Sequence, residues 1–196
     1  CAAASRLLIN KDIYSEILEL LTQKLSEISI GTLDQDLHGP VIDEASMLRI
    51  DKYINQCKLQ GYGVRQFGVK PNENGFFVQP TLVEGFDDNL EFTFEEIFAP
   101  LLRVIKFSSN DEAISIANNT GYNLTSAVWT SDLTESNYFA RKLNSGLINI
   151  NGPTHGSEFQ FPFGGIQKSG NGSKEVGFSC LDEYSNHKVI TRTFHD

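Results

Sequence analysis

Apolar residues near the start of the chain recur at the spacing of one strand and two amphipathic helices. The short apolar segment Arg6–Asn10 predicts a strand, and Asp12 offers a side-chain oxygen to cap the helix that follows. Six apolar residues then recur at helical spacing: Ile13, Ile17, Leu20, Leu21, Leu25 and Ile28. Asp43 opens a second predicted helix, and Gly61 lies beyond its end.

The middle of the chain alternates between strands and helices. Strand-like runs at 64–67 and 76–83 flank a turn at 71–75. Later elements follow the same alternation, with strands predicted at 101–107, 124–130 and 146–150 and helices at 111–118 and 133–143. This order predicts an α/β fold of three layers, αβα, in which a mainly parallel open sheet has helices on both faces.

The last part of the chain has a different composition. Residues 151–177 are rich in Gly, Pro, Ser and Phe, and a loop of this length is usually functional or disordered. Its aromatic residues argue against disorder. The segment 186–194 alternates like a strand but has no evident partner in the predicted sheet, so we expect an arm that pairs elsewhere.

Composition excludes several classes of function. The net charge is −9 and the 16 basic residues are dispersed, which disfavours nucleic-acid binding. No apolar run reaches the ~18 residues of a membrane span, and no signal peptide is recognisable. The three cysteines form no CxxC pair, which favours a reducing compartment such as the cytoplasm. The four histidines lack ligand spacing, so we expect no metal site.

Cys1 is the first candidate for chemistry. Small residues follow it, so a substrate has room to approach the thiol. Cysteine is, however, more often buried and inert, and the residue type alone leaves both interpretations open. As an N-terminal cysteine it also allows a hydrolase in which its own amine acts as base. The strand and long helix that follow argue against that alternative, and no local signature supports a papain-like pairing of Cys1 with His155.

The second candidate is the motif FEEIFAP at 94–100. Paired carboxylates usually form a solvated helix edge, but Glu95 and Glu96 lie among aromatic and aliphatic residues just before a buried strand. Ligands of open α/β sheets bind in a crevice at strand ends. A carboxylate there accepts two hydrogen bonds from a ribose, and an aromatic ring beside it packs on a flat ring.

The third candidate is the loop NGPTHGSEFQFPFGG at 151–165. Its closing glycines, Gly164 and Gly165, predict a tight reversal, and a plain surface loop is the alternative interpretation. In the functional interpretation His155 or Glu158 contacts polar substrate. Three aromatic residues would line the mouth of a pocket: Phe159, Phe161 and Phe163.

In this order the motifs resemble the C-terminal part of an aldehyde dehydrogenase. The family's Cys-x-Ala-x-x-Arg motif matches Cys1, Ala3 and Arg6, and its EEIFGP motif matches 95–100 with Ala99 in place of glycine. That replacement matters only if position 99 needs a positive φ. Further family positions are matched by Pro80, Thr81, Leu82, Ser145, Gly146, Asn151, Pro162, Phe163, Gly164, Gly165, Ser169 and Gly170.

The resemblance implies roles for individual residues. Cys1 is the nucleophile that attacks the aldehyde, Glu96 binds the ribose of NAD or NADP, and Phe98 packs near the nicotinamide ring. Asn151, Phe161 and Phe163 are expected to contact substrate. It also implies a catalytic domain over 1–165, a tail with an oligomerisation strand over 166–196, and a homodimer or homotetramer formed through that strand.

By resemblance, the dinucleotide-binding domain lies outside these residues, as do a general-base glutamate and an asparagine that helps bind the oxyanion. We therefore expect a fragment that is inactive alone, with position 1 as a boundary at or beside the nucleophile. A free thiol titrates near about 8.5, so the nucleophile needs a base or a lowered pKa. Residues of 151–158 and 169–177 resemble branches that oxidise small carboxylate-bearing semialdehydes. A non-catalytic relative that keeps the fold as a structural or binding protein stays as the alternative.

Overall fold

The computed structural model describes residues 1–71, 74–85 and 95–194. Its strands are β1 (Arg6–Asn10), β2 (Gly63–Gln66), β3 (Thr81–Glu84), β4 (Leu101–Phe107), β5 (Tyr122–Asn123), β6 (Thr125–Val128), β7 (Leu147–Ile150) and β8 (Ile166–Gln167). Its helices are α1 (Tyr14–Ser26), α2 (Glu44–Leu59), α3 (Asn110–Asn118), α4 (Leu133–Lys142) and α5 (Cys180–Glu183). The α/β class is confirmed.

The chain forms two compact units. The first comprises Cys1 and Ala3–Thr120, and the second comprises Ala2 and Gly121–Asp196. This division concerns compactness, and the domain boundary expected between 165 and 166 stays a prediction.

A four-stranded sheet in the order β1-β4-β3-β2 organises the first unit. β4 pairs in parallel with both β1 and β3, and Arg6 lies opposite Arg103 while Thr81 lies opposite Leu101. The edge strand β2 runs antiparallel to β3. The sheet is therefore mixed, with β4 and β3 in the centre and β1 and β2 at its edges.

Two apolar clusters cover the two faces of this sheet, which gives the three expected layers. α2 contributes to the cluster of Ile50, Ile54, Cys57, Val78, Val83, Ile97 and Leu101. α1 contributes to the cluster of Ile9, Leu18, Phe67, Leu82 and Val104. The neighbours Leu82 and Val83 belong to different clusters because successive side chains of a strand point to opposite faces.

The two predicted helix caps have different outcomes. Asp43 is the N-cap of α2, and its Oδ1 accepts a hydrogen bond of 2.7 Å from the Ser46 backbone N–H. Gly61, just beyond α2, has a φ of 82°. The prediction for Asp12 was wrong, because Ile13 is the N-cap of α1 and no side chain caps that helix.

The predicted strand at 76–83 was too long, because only Thr81–Glu84 forms a strand. Pro80 interrupts the pattern, since proline has no backbone N–H to donate to a ladder. Two carbonyls of this segment accept hydrogen bonds from residues outside the strands. The Val41 N–H donates to the Phe76 carbonyl and the Phe67 N–H donates to the Pro80 carbonyl, both at 2.9 Å. The strand predicted at 64–67 lies one residue earlier, at Gly63–Gln66.

Two short sheets hold the second unit. β6 and β7 pair in parallel, and β5 and β8 pair antiparallel. The pair β5–β8 was absent from the sequence prediction. No strand is assigned between 185 and 194, where the C-terminal strand was expected, and these residues are exposed.

No helix among the described residues is both long and apolar enough to cross a membrane. Within the same residues, no group of three His, Cys, Asp or Glu side chains is placed to hold a metal ion.

Candidate active site

Cys1 lies on an exposed segment that leads into β1. The segment is tied to the sheet just before the strand begins, where the Ser5 carbonyl accepts a hydrogen bond of 3.1 Å from the Arg103 N–H of β4. An exposed thiol beside small residues is open to a substrate. All three cysteines of the chain are free.

The motif at 95–100 is fixed to the core of the first unit by its middle residue. Ile97 is buried in the α2-side cluster, whereas Glu96 and Phe98 on either side are exposed, the Phe98 ring by 66%. Arg49 of α2 donates to the Ile97 carbonyl at 3.4 Å. One buried anchor thus presents a carboxylate and an aromatic ring to the outside. Phe94, the first residue of the predicted motif, lies outside the described residues.

The backbone around this motif accommodates the alanine that replaces the family's glycine. Phe98 has a φ of 54°, in the left-handed region, and Ala99 is not among the described residues with positive φ. The Ala99 carbonyl accepts from the Leu101 N–H at 2.7 Å, and the Pro100 carbonyl accepts from the Thr81 N–H at 2.9 Å. The Gly-to-Ala change therefore adds no backbone strain at position 99.

Cys1 and the 95–100 motif precede the amino ends of neighbouring parallel strands. Cys1 precedes β1, and Glu96 and Phe98 precede β4, which pairs with β1 along its length. The topology therefore brings the proposed nucleophile and the proposed cofactor contacts to one edge of one sheet. This is the amino edge, whereas ligands of open α/β sheets usually bind at the carboxyl edge. The expectation of a crevice at the carboxyl ends of the strands therefore does not apply to this motif, and its role in cofactor binding stays a prediction.

The second thiol of the first unit, that of Cys57, is buried and unsuited to act as a nucleophile. Cys57 is only 2% exposed, and burial raises the pKa of its thiol, although Arg103 nearby acts in the opposite direction. The pKa of Arg103 is lowered to about 10, first by burial and then by the positive charge of Arg6. Cys57 therefore stays protonated and shielded, in contrast to the exposed Cys1. The sequence pattern alone gave no sign of the buried Arg103.

In the second unit, the loop that carries the predicted aromatic residues is backed by the segment 174–177. Phe163 and Glu175 exchange two backbone hydrogen bonds of 2.8 Å, and the Gly177 N–H donates to the Phe159 carbonyl at 2.9 Å. The Lys174 ammonium donates to the Gly164 carbonyl and, at 3.1 Å, to the Gly165 carbonyl. Sequence reasoning missed Lys174 as the residue that holds this loop.

Two glycines, one before β7 and one in the loop, are required by close backbone approach. A Cβ on Gly146 would lie 2.0 Å from the Gly164 carbonyl oxygen, and one on Gly165 would lie 2.5 Å from the Ser169 carbonyl oxygen. Real Cβ atoms do not approach other atoms so closely, so both positions exclude a side chain. Gly164, with a φ of 153°, is consistent with the predicted reversal.

Asn151 connects the ends of two strands through its side chain. Its Oδ1 accepts from the Thr130 N–H at 2.9 Å, and its Nδ2 donates to the Thr130 carbonyl at 3.0 Å. Its φ of 54° places it in the left-handed region that asparagine tolerates. The structure thus gives Asn151 a local role, and one amide hydrogen remains for the predicted substrate contact.

The other residues predicted from the loop differ in exposure. His155, Glu158, Phe159 and Phe161 are exposed, and Phe163 is half-buried. Each has a surface that another molecule can reach. Their contact with substrate stays a prediction.

Known proteins resemble this chain over nearly its whole length. The profile of the Aldehyde dehydrogenase family matches residues 1–190. The 2,5-dioxopentanoate dehydrogenase of Saccharolobus solfataricus is 36% identical over 193 residues, which make up 97% of this chain and 40% of that protein. The mitochondrial aldehyde dehydrogenase of Equus caballus is 34% identical over 194 residues, which make up 97% of this chain and 38% of that protein.

A solved structure agrees with these relatives. The betaine aldehyde dehydrogenase of Staphylococcus aureus, solved in complex with NAD+, superposes with a TM-score of 0.82 at 30% identity, over 92% of this chain and 37% of that one. The chain thus spans about two fifths of the length of the proteins it matches. With a family profile over residues 1–190 and relatives above 30% identity, the chain belongs to the aldehyde dehydrogenase family.

Proposed function

We propose that the intact protein oxidises an aldehyde to the carboxylic acid with NAD+ or NADP+, with Cys1 as the nucleophile. The observation that carries this proposal is the shared amino edge of β1 and β4, which Cys1, Glu96 and Phe98 all precede. Its further support is membership of the aldehyde dehydrogenase family. The chain spans about two fifths of its relatives' length, so we assign turnover to the intact protein and none to these 196 residues alone.

Cys1 performs the covalent step. Its thiolate adds to the carbonyl carbon of the aldehyde, and the carbonyl oxygen becomes the oxyanion of a thiohemiacetal. Loss of hydride from that carbon leaves a thioester on the sulfur. Water then hydrolyses the thioester, which releases the acid and restores the thiol. The exposure of Cys1 supports this role, and the burial of Cys57 excludes that thiol as a substitute.

Glu96 and Phe98 suit a nicotinamide cofactor, which accepts the hydride when bound. The exposed Glu96 carboxylate has oxygens to accept hydrogen bonds from both hydroxyls of a ribose. The exposed Phe98 ring offers a flat apolar face to the nicotinamide. The buried Ile97 between them anchors the backbone segment that carries both side chains.

Asn151, Phe161 and Phe163 are proposed to contact substrate in the intact protein. The Lys174 contacts that hold the 159–165 loop support a fixed aromatic surface there. We further propose a small semialdehyde with a carboxylate as substrate class. The relative named for 2,5-dioxopentanoate supports this class.

The proposal for Cys1 is tested on the intact protein with the variants Cys1→Ala and Cys57→Ala. The measurement is formation of reduced cofactor with semialdehydes and with long-chain aldehydes, for NAD+ and NADP+ separately. We expect Cys1→Ala to abolish turnover and Cys57→Ala to retain it. Turnover by Cys1→Ala would refute the nucleophile, and a clear preference for long-chain aldehydes would refute the substrate class.

Residues 184–193 are proposed to form an intermolecular strand in a homo-oligomer. They are exposed, and Val189 (90%) and Ile190 (67%) are apolar side chains left without cover in the single chain. Unpaired edge segments of this kind pair readily with another chain. Light scattering of the intact protein should report a dimer or tetramer that loses subunits when the chain ends at 183. A clean monomer would contradict the proposal.

A further inference from the structure

The arginine of the Cys-x-Ala-x-x-Arg motif binds a helix that is distant in sequence. Arg6 Nη1 donates to the Ile116 carbonyl at 2.8 Å, and Nη2 donates to the Ala117 carbonyl at 2.9 Å. Both carbonyls belong to the last turn of α3. Burial lowers the pKa of Arg6, so these two bonds offset the cost of removing its charge from water.

Arg6 completes the carboxyl end of α3. The last four carbonyls of a helix have no partner within it. Here the Ser115 carbonyl accepts from the Asn119 N–H at 3.0 Å, and the Asn118 carbonyl accepts from the Thr120 N–H at 2.9 Å. The two carbonyls between them receive the guanidinium of Arg6.

The charge of Arg6 also suits this position. α3 has two acidic residues in its first turn and no basic residue in its last turn. A cation at the carboxyl end of a helix interacts favourably with the helix dipole. Because α3 carries no such cation itself, Arg6 supplies it from β1. The planar guanidinium, with several N–H groups in a fixed geometry, reaches two adjacent carbonyls at once.

These contacts fix the place where the nucleophile segment joins the sheet. Only four small residues, Ala2–Ser5, separate Cys1 from Arg6. Arg6 is the first residue of β1 and lies opposite Arg103 of β4. Just before it, the Ser5 carbonyl accepts a backbone hydrogen bond from Arg103. The position of Cys1 therefore depends on where the amino end of β1 is held.

We propose that Arg6 is a positioning residue for Cys1, which it holds in reach of the aldehyde by fastening the start of β1 to the carboxyl end of α3. This inference rests on the proposed function, because it takes Cys1 as the nucleophile. Arg6 itself touches no reacting atom. It acts by setting the position of the Cys1 thiol relative to the carbonyl carbon of the bound aldehyde.

The test compares Arg6→Met, Arg6→Lys and Ser109→Ala in the intact protein. Ser109 caps the other end of α3, where its Oγ accepts from the Glu112 N–H at 3.2 Å. Ser109→Ala therefore weakens the same helix without touching the amino end of β1. The readouts are kcat and KM for the aldehyde, well below each melting temperature and normalised to folded protein by circular dichroism.

We expect Arg6→Met to lower kcat by about 10- to 100-fold while KM changes little, because a misplacement of about 1 Å costs this much. Arg6→Lys should recover part of the loss, since an ammonium still donates to a carbonyl. Ser109→Ala should keep the wild-type kcat. Should Arg6→Met not fold, Arg6→Lys against Ser109→Ala decides the question alone.

Equal kcat values for the Arg6 variants and Ser109→Ala, with Cys1→Ala inactive, would overturn the role of Arg6 and leave the proposed function intact. An active Cys1→Ala would instead overturn the proposed function. The two failures are therefore distinguishable in one series.

Discussion

The two compact units hold their candidate residues by different means. In the first unit, apolar clusters cover both faces of a four-stranded sheet, and Cys1, Glu96 and Phe98 precede its strands. In the second unit, the loop with Phe161 and Phe163 is held by backbone pairs, glycine contacts and one ammonium. In the first unit a packed sheet supports the segments that carry the exposed candidate side chains. In the second unit polar contacts to main-chain atoms hold the loop.

This difference suits the division of work that we propose. Covalent chemistry and cofactor binding need groups held within a fraction of an ångström, and a buried sheet provides such support. Substrate recognition changes between related enzymes, and loops tolerate such change better than cores do. Because this loop is held through backbone carbonyls, the side chains at 159, 161 and 163 can change while the backbone conformation stays the same.

The largest effect is expected in the core of the first unit. Ile50 of α2 is 0% exposed, so Ile50→Ala should lower the free energy of unfolding by about 2–5 kcal/mol. Leu48 of the same helix is 58% exposed, and Leu48→Ala should change it by only about 0.5 kcal/mol. Denaturant unfolding followed by circular dichroism measures both. Similar losses for the two variants would contradict the placement of α2.

A smaller and local effect is expected in the second unit. Lys174→Met leaves the carbonyls of Gly164 and Gly165 without their donor, which should cost about 1–3 kcal/mol. Hydrogen exchange should then speed up at the amides of Phe163 and Glu175, which pair next to it. Lys188→Met, at an exposed position of the C-terminal segment, is the matched control and should leave both amides protected. Unchanged protection of these amides in Lys174→Met would show that the backbone hydrogen bonds hold the loop without Lys174.

The smallest effect is expected at the start of α2, and it depends on pH. Hydrogen bonds from the Ser46 side chain and backbone N–H hold the pKa of Asp43 below its ordinary value. A lowered native pKa means that the carboxylate stabilises the fold above its unfolded pKa and loses this contribution as pH falls through the native pKa. Asp43→Ala should therefore lower the melting temperature at neutral pH, with a smaller difference in acid.

Asp12→Ala is the control for Asp43→Ala. Asp12 caps no helix, so its replacement should leave the melting temperature unchanged at any pH. A loss as large as that of Asp43→Ala would show that Asp12 does cap α1.

Local sequence signals predicted the elements that show a clear pattern of apolar residues over several positions. β1 and β4 were predicted with correct bounds because each is a short segment in which most side chains are apolar. Asp12 and Asp43 looked alike as caps, but in the structure only Asp43 occupies the N-cap position and accepts a capping hydrogen bond, because Ile13 takes that position before α1. β5 and β8 are two residues each, too short to show any period, and they pair across more than forty residues.

The sequence singled out candidate residues that stand in a motif and missed residues whose contacts are distant in sequence. Cys1 and Glu96 stand in recognisable patterns. The bonds from Arg6 to Ile116 and Ala117 span more than one hundred residues, and no local pattern encodes them. Likewise, no sequence pattern marks Lys174, and its role follows only from its contact with the Gly164 carbonyl in the fold.

The most direct test of the account is to look for the covalent intermediate on Cys1. The intact protein is mixed rapidly with aldehyde and NAD+ or NADP+, quenched in acid, digested and analysed by mass spectrometry. We predict an acyl group on the peptide that contains Cys1, formed only when cofactor is present and absent from Cys1→Ala. An acyl group on another residue, or turnover with none on Cys1, would contradict the account.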